Sequence, residues 1–294
     1  MTRVGCVAAA LLAAVLSVGC SGGGDDDGGG SGSGDGSGSD EAGRTLDTMP
    51  LVQRLGVALS DESGSSTVGI TGLGGVVDLP VLADARAATD EAVAGLDADV
   101  VGAAVTELPE ELASLRGDVD RDLADGSSIS DAPAAESTYA AYEAMIGSVW
   151  EDYEAAVYAA VDDPELRHGA ELSFAAERME RLAGSLVRLL VLGTMDAGLN
   201  RPDAVREISA TWTELDDLAA DLRSESAQPY ADVIDAQFPA DLHAELGTLT
   251  ETALRSGTVD LGATISLSRD APGYVGLQWA LTEALDSAAQ EQLG

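Results

Sequence analysis

The chain has 294 residues. Its 15 basic side chains, all arginine, face 52 acidic ones, for a formal net charge of −37. That imbalance excludes a nucleic-acid partner, whose phosphates the surface would repel, and a basic patch for docking on anionic lipid. An apolar fraction of 45% is that of a globular protein, so wholesale disorder is excluded, and the charge suits a solvated acidic surface in a salty or extracellular setting.

The N-terminus reads as a secretory segment over residues 1–19. Arg3 supplies the positive end, and Val4 to Gly19 carries no charge and is short for a permanent span. It closes in Leu16-Ser17-Val18-Gly19-Cys20, which resembles a bacterial lipobox. That likeness implies an acylated Cys20 as the mature N-terminus, with Ser17 where such motifs favour Leu. An ordinary signal peptide cut elsewhere, or a short membrane anchor, is the competing reading. Residues 20–43 then form a tether: Ser21 to Gly43 holds 11 Gly, 5 Ser and 5 Asp in 23 residues. Such a stretch cannot bury a core and is expected to behave as a coil spanning about 25–30 Å. The two cysteines are Cys6, which leaves with the signal, and Cys20. The mature domain would hold no thiol, which excludes disulfides, thiol nucleophiles and Cys-based metal sites.

Residues 44–294 carry 14 Arg against 46 Asp and Glu, a balance of −32, and read as one domain or two intimate ones. Leu51 to Leu59 is a short apolar-periodic segment. Ser60 to Val77 contains five glycines and is expected to hold a loop or a break. Pro80 to about Val105 reads as a helix, and Pro109 to about Ala124 as another. Ala132 to Val161 is the clearest helix: Tyr139, Tyr142, Ile146, Val149, Tyr153, Ala156 and Ala160 alternate three and four apart. Asp163 is a candidate N-cap, and Pro164 opens a helix to about Ala197 with a seam through Leu172, Met179, Leu186 and Leu189. The next helix starts near Arg201-Pro202-Asp203, and its seam runs from Val205 through Trp212 to Leu222. Pro239 to Leu254 and Gly273 to Leu293 are two more. Val259 to Leu267 is strand-like and is read as a loop. The sum is an all-α protein of about seven to eight helices in a bundle or bundles. No segment after the N-terminus is long and uncharged enough to cross a membrane.

Few residues carry obvious chemistry. His168 and His243 are far apart and are expected to serve structural roles rather than hold a metal. Asp118, Asp120 and Asp122 alternate as in a calcium loop, but Leu123 stands where that loop needs Gly, and the segment reads as a helix end. There is no nucleophile elbow, zinc-protease motif or phosphate-binding loop, and no cofactor is expected.

The order of short motifs resembles the nitrate- and nitrite-sensing (NIT) domain family, across roughly residues 48–293. Leu59-Ser60-Asp61-Glu62-Ser63-Gly64 stands at the family's Glu-Arg-Gly helix. Arg86-Ala87-Ala88-Thr89-Asp90-Glu91-Ala92 is similar to its Arg-x-x-Thr-Asp-x-Ala segment, and Leu112 to Asp120, with Arg116, to its Leu-x-x-Leu-Arg-x-x-Val-Asp segment. Tyr139 to Ile146, Ala175-Ala176-Glu177-Arg178 and the helix around Trp279 follow in the family's order. The resemblance implies an all-helical extracytoplasmic sensor in which arginines hold nitrate or nitrite. One departure is plain: the Arg of the first Glu-Arg motif is Ser63 here.

On physical grounds Phe174, Arg178, Arg181, Ser185, Arg188 and Leu192 share one helix face. A guanidinium fork suits a planar anion. Arg178, Arg181 and Arg188 are therefore the candidate anion ligands, and Arg178 is the one where motif position and face agree. The competing reading pairs them with neighbouring acids, and for Arg86 and Arg116 ion pairing is the expected role. The chain thus reads as a lipid-anchored, non-enzymatic module on the extracytoplasmic face of the cell membrane, sensing nitrate or nitrite and signalling through a membrane partner. The alternative is a structural or protein-interaction lipoprotein that keeps the fold without the anion.

Overall fold

The computed structural model describes residues 37–71, 81–126, 132–195, 202–225, 227–260, 263–264 and 273–293. Cys6, Cys20 and the lipobox lie outside these residues. Within them the chain is helical throughout, without strands: α1 Ser37–Asp47, α2 Met49–Thr71, α3 Leu82–Ala94, α4 Ala98–Val101, α5 Ala103–Asp125, α6 Ala132–Ala160, α7 Pro164–Met195, α8 Pro202–Arg223, α9 Tyr230–Gln237, α10 Ala240–Ser256 and α11 Gly273–Leu293. The all-α expectation holds, and the larger number of helices comes from α1 and the short α4 and α9.

Helices α2 to α6 form one packed group, with α3 and α6 against α2 and α5 against α6. Helices α7 to α11 form another, with α8 and α11 against α7, α9 against α11, and α10 against α8. The seam between them is aromatic. Trp150 and Tyr153 of α6 and Phe174 of α7 meet edge to face, each pair of ring centroids 6.1 Å apart. All three rings are buried, so this triangle combines large apolar burial with favourable quadrupole geometry. The Tyr153 hydroxyl donates to the Thr45 carbonyl of α1 at 2.7 Å, and Gln53 of α2 donates to Thr282 of α11. These two bonds tie α1 and α11 across the same seam.

Local chemistry explains where several helices begin. Asp163 caps α7 as expected: its Oδ1 accepts from the amides of Glu165 at 2.9 Å and Leu166 at 3.0 Å. Helix α5 has a cap from a distant helix. Gly102, at φ +113°, turns the chain away from α4, and Asp152 of α6 accepts from the Ala104 amide at 2.8 Å. Gly257, at φ +66°, closes α10 with its amide on the Ala253 carbonyl at 2.9 Å.

Five boundaries differ from the sequence reading. The helix expected to start at Pro109 begins at Ala103 and carries Pro109 within it. Helix α1 begins at Ser37, inside the stretch assigned to the tether, because Ala42 and Leu46 are buried in the core. Helix α2 does not break at Gly64 or Gly69 but runs on to Thr71; residues 72–77 of the expected loop lie outside the described residues. Residues Glu62 to Val68 are all buried, so packing on several sides compensates for poor helix propensity. At Gly69 the close approach is essential: a Cβ there would stand 2.9 Å from Leu123 of α5. The helix expected over 80–105 is divided at Gly95 to Asp97, and Asp97 caps the short α4 by accepting from the Asp99 amide. Of the strand-like segment 259–267, Val259 and Asp260 are irregular and Ala263 and Thr264 form a helical turn; the rest lies outside the described residues.

Candidate functional site

Two clusters of charge lie on opposite sides of α6. The first gathers the residues of the early motifs. Glu62 of α2 is fully buried, and its carboxylate accepts from Arg116 of α5 with both oxygens: Nε to Oε1 at 2.7 Å and Nη2 to Oε2 at 2.8 Å. The Tyr142 hydroxyl of α6 donates to Oε1 at 2.8 Å, and Arg86 of α3 stands 3.8 Å away. Arg116 also donates to Asp90 at 2.7 Å and to the Arg86 carbonyl at 3.2 Å, and Arg86 pairs with Asp120 at 2.9 Å. A bidentate fork with its remaining donors satisfied is the arrangement in which a buried ion pair compensates its desolvation. These partners push the Arg116 guanidinium further up from its ordinary value and hold it charged. Arg86 and Arg116 therefore serve ion pairs, as expected. Ser63, the departure from the family pattern, is 1% exposed and its hydroxyl has no partner among the described residues.

The second cluster lies between α6, α7 and α8, around a cavity of about 580 Å³. Six glutamates line it: Glu143, Glu151 and Glu154 from α6, Glu171 and Glu177 from α7, and Glu214 from α8. Among the described residues its lining holds two arginines, Arg178 and Arg181, and Trp150, Phe174 and Tyr158 supply aromatic surface. The cleft is of ligand size, and its charged groups converge beside the aromatic surface.

The three candidate arginines have different surroundings. Arg178 is 58% exposed and pairs with Glu214, forming a wall between this cavity and an open groove along α8. Arg181 reaches back across α7, its Nη1 beside Gly147 of α6 and its Nε 2.6 Å from Oε1 of Glu177. That Nε–H is close to the carboxylate but poorly aligned with it. Arg188 lies outside the cavity lining, its guanidinium 4.8 Å from the centre of the Tyr139 ring and 3.5 Å from Glu136. Arg178 and Arg181 thus share a cleft, while Arg188 stacks on the Tyr139 side.

Buried acids in and beside this cleft were not singled out from the sequence. Glu177 is 6% exposed, and desolvation pushes its carboxyl up to about 7, against the pull of Arg181 and with help from Glu143 and Glu154. Glu180, half-buried against α11, is pushed up to about 8, again mainly by desolvation and then by Glu177. Its carboxylate accepts from the Val275 amide in the first turn of α11, which offsets part of that rise. Glu143 is raised by burial too, with Arg181, Tyr139 and Arg188 pulling it down. The available signal was spacing: Glu177 and Glu180 sit on α7 among Phe174, Ala176 and Met179, where a solvated face would not place them.

The remaining polar residues have structural partners. His168 pairs with Glu225 at 2.7 Å; His243 bridges the Tyr274 hydroxyl at 2.8 Å and Asp216 at 3.0 Å. Asp118 pairs with Arg121 at 2.8 Å within α5. Among the described residues no group of three or more His, Cys, Asp or Glu is arranged to hold a metal ion, and no helix is long and apolar enough to cross a membrane.

Residues 55–292 match the family described as nitrate and nitrite sensing. No curated protein and no solved structure matches the chain.

Proposed function

The chain belongs to the nitrate and nitrite sensing (NIT) family, and from that premise we propose that it is a lipid-anchored module on the extracytoplasmic face of the membrane. It takes up nitrate or nitrite in the α6–α7 cleft and passes the signal to a membrane partner. Cys20 carries the lipid, and the Gly/Ser/Asp-rich stretch before α1 is the tether. The observation that supports the site is the joint presence of Arg178 and Arg181 in one cavity of ligand size. Arg181 is the principal donor, because it lines the cavity and its buried Nε–H is poorly aligned with Glu177. Arg178 stands at the rim, and Arg188 acts from behind Tyr139 as a source of positive potential. No catalytic role is proposed for any residue.

A second reading keeps the fold without the anion and makes the chain a structural or interaction lipoprotein. The Arg178–Glu214 pair and Ser63 favour it, because each takes a family-motif arginine position out of anion binding. Thermal unfolding of the full chain in detergent micelles separates the two, with nitrate, nitrite and chloride compared at equal ionic strength. A sensor gains about 2.7 kcal/mol at a hundredfold excess over its dissociation constant, for nitrate or nitrite alone, and loses that gain in Arg181→Ala. Identical curves in all three salts would leave the interaction module.

A further inference from the structure

Resting on the anion reading above, we infer that anion binding in the α6–α7 cleft is linked to uptake of one proton by Glu177, which frees Arg181 to become the anion's donor. The geometry imposes the competition. Arg181 Nε is 2.6 Å from Glu177 Oε1, so a carboxylate already neutralises the guanidinium that a planar anion would need. The two residues are one helical turn apart on α7, and Glu177 cannot swing into solvent because it is buried. Their contact is not a fork: Nε is close to Oε1, but its N–H is not aligned with the carboxylate, so the buried donor is poorly satisfied. A poorly satisfied buried donor is costly and is relieved by any acceptor that enters the cavity.

The charge around Glu177 acts in the same sense. Around Glu177 the lining brings Glu143, Glu151, Glu154 and Tyr158 from α6, Glu171, Arg178 and Arg181 from α7, and Glu214 from α8; Glu180 of α7 acts with Glu177, and Tyr139 and Arg188 stand beside Glu143. Against α11 the neighbouring groups are the Val275 amide and Tyr274, both beside Glu180. Six glutamates against two arginines in the cavity lining leave it strongly negative when all are ionised. An anion entering such a cleft meets repulsion that a low-dielectric surround amplifies. Protonation of Glu177 removes the negative charge nearest to Arg181, and desolvation already sets that carboxyl at about 7, within reach of a small bias. The proton and the anion therefore favour each other, since linkage is reciprocal.

The test is nitrate titration of the full chain in detergent micelles by calorimetry at pH 6, 7 and 8, each in two buffers of different ionisation heat. The expected wild-type result is uptake of close to one proton per nitrate above neutrality. Affinity then falls about tenfold per pH unit there, the limit for one linked proton. Glu177→Gln is expected to bind nitrate with equal affinity at all three pH values and without proton uptake, and Arg181→Ala to lose binding throughout. Nitrate binding that is lost in Arg181→Ala but shows no proton uptake and no pH dependence in the wild type would overturn the linkage while leaving the anion site standing. Absence of nitrate binding in both wild type and Glu177→Gln at every pH would overturn the anion reading, and the linkage with it. The buffer comparison needs only the wild-type protein, so the linkage is decided even if Glu177→Gln fails to fold.

Discussion

On one side of α6, Glu62 and Arg116 meet edge to edge, both oxygens taken by the guanidinium and a third donor supplied by Tyr142. On the other side, Glu177 and Arg181 are as close, yet the Nε–H is not aligned with the carboxylate and a cavity of about 580 Å³ opens beside them. Sequence distance explains the difference. Glu62 and Arg116 come from separate helices, α2 and α5, and can approach head-on. Glu177 and Arg181 are four residues apart on one helix, where both stems run along the same surface and the fork cannot square up to the carboxylate. A closed pair locks helices together, whereas an open pair retains chemistry that a ligand or a proton can complete.

The largest expected effect breaks the closed side. Glu62→Ala leaves Arg116 without its main counter-charge between four helices, and a loss of about 3–5 kcal/mol is expected in chemical denaturation. If the loss were under about 1 kcal/mol, the first cluster would not be the lock described here. The pH dependence of stability comes next and belongs to the open side. Glu177 and Glu180 hold protons in the folded state that an unfolded chain releases near 4.5. The native state then binds more protons than the unfolded one, so the contribution of these two groups is full below about 4.5 and is lost as pH rises through about 7 and 8. The difference in melting temperature between wild type and Glu177→Gln should therefore shift in favour of the variant between pH 5 and 8.5. Each kcal/mol corresponds to about 2–4 °C in a domain of this size. A constant difference across that range would contradict the assignment.

Tyr142→Phe removes one donor from the closed pair and leaves its fork intact, so a smaller loss of about 1 kcal/mol is expected by denaturant unfolding. The smallest effect is that of Arg178→Ala. Its pair with Glu214 is largely solvent-exposed, and its loss should cost well under about 1 kcal/mol. A large destabilisation there would mean that the Arg178–Glu214 wall holds α8 in place, and would move Arg178 from the rim of the cleft to its framework.

Much of the fold was legible in the residues. The three-four spacing from Tyr139 to Ala160 marks α6 because a helix with one apolar stripe needs partners to bury it, and Asp163-Pro164 marks the start of α7 through local capping and a preset φ. The ion-paired roles of Arg86 and Arg116 could be anticipated from their motifs, although their common partner could not. Continuity of α2 was not legible. Glycine and serine disfavour a helix locally, and only burial among α3, α5 and α6 reverses that preference. The same holds for α1, whose Ala42 and Leu46 become core residues only once α6 and α11 are beside them.

The sequence by itself determined the helical class, the acidic surface and the family, since each follows from local periodicity, composition or motif order. Tertiary structure alone decided which glutamates lose their water. Glu62 and Glu177 sit in related motifs, and the differences along the chain, Ser63 after the first and Arg178 and Arg181 after the second, do not by themselves tell a carboxylate clamped by a guanidinium fork from one set to titrate near neutrality. The separation comes from what other helices bring: an arginine aimed head-on at the first, and for the second an arginine of its own helix and a ring of further acids. Desolvation and Coulomb energy depend on distance in space, and those distances exist only after the helices have packed.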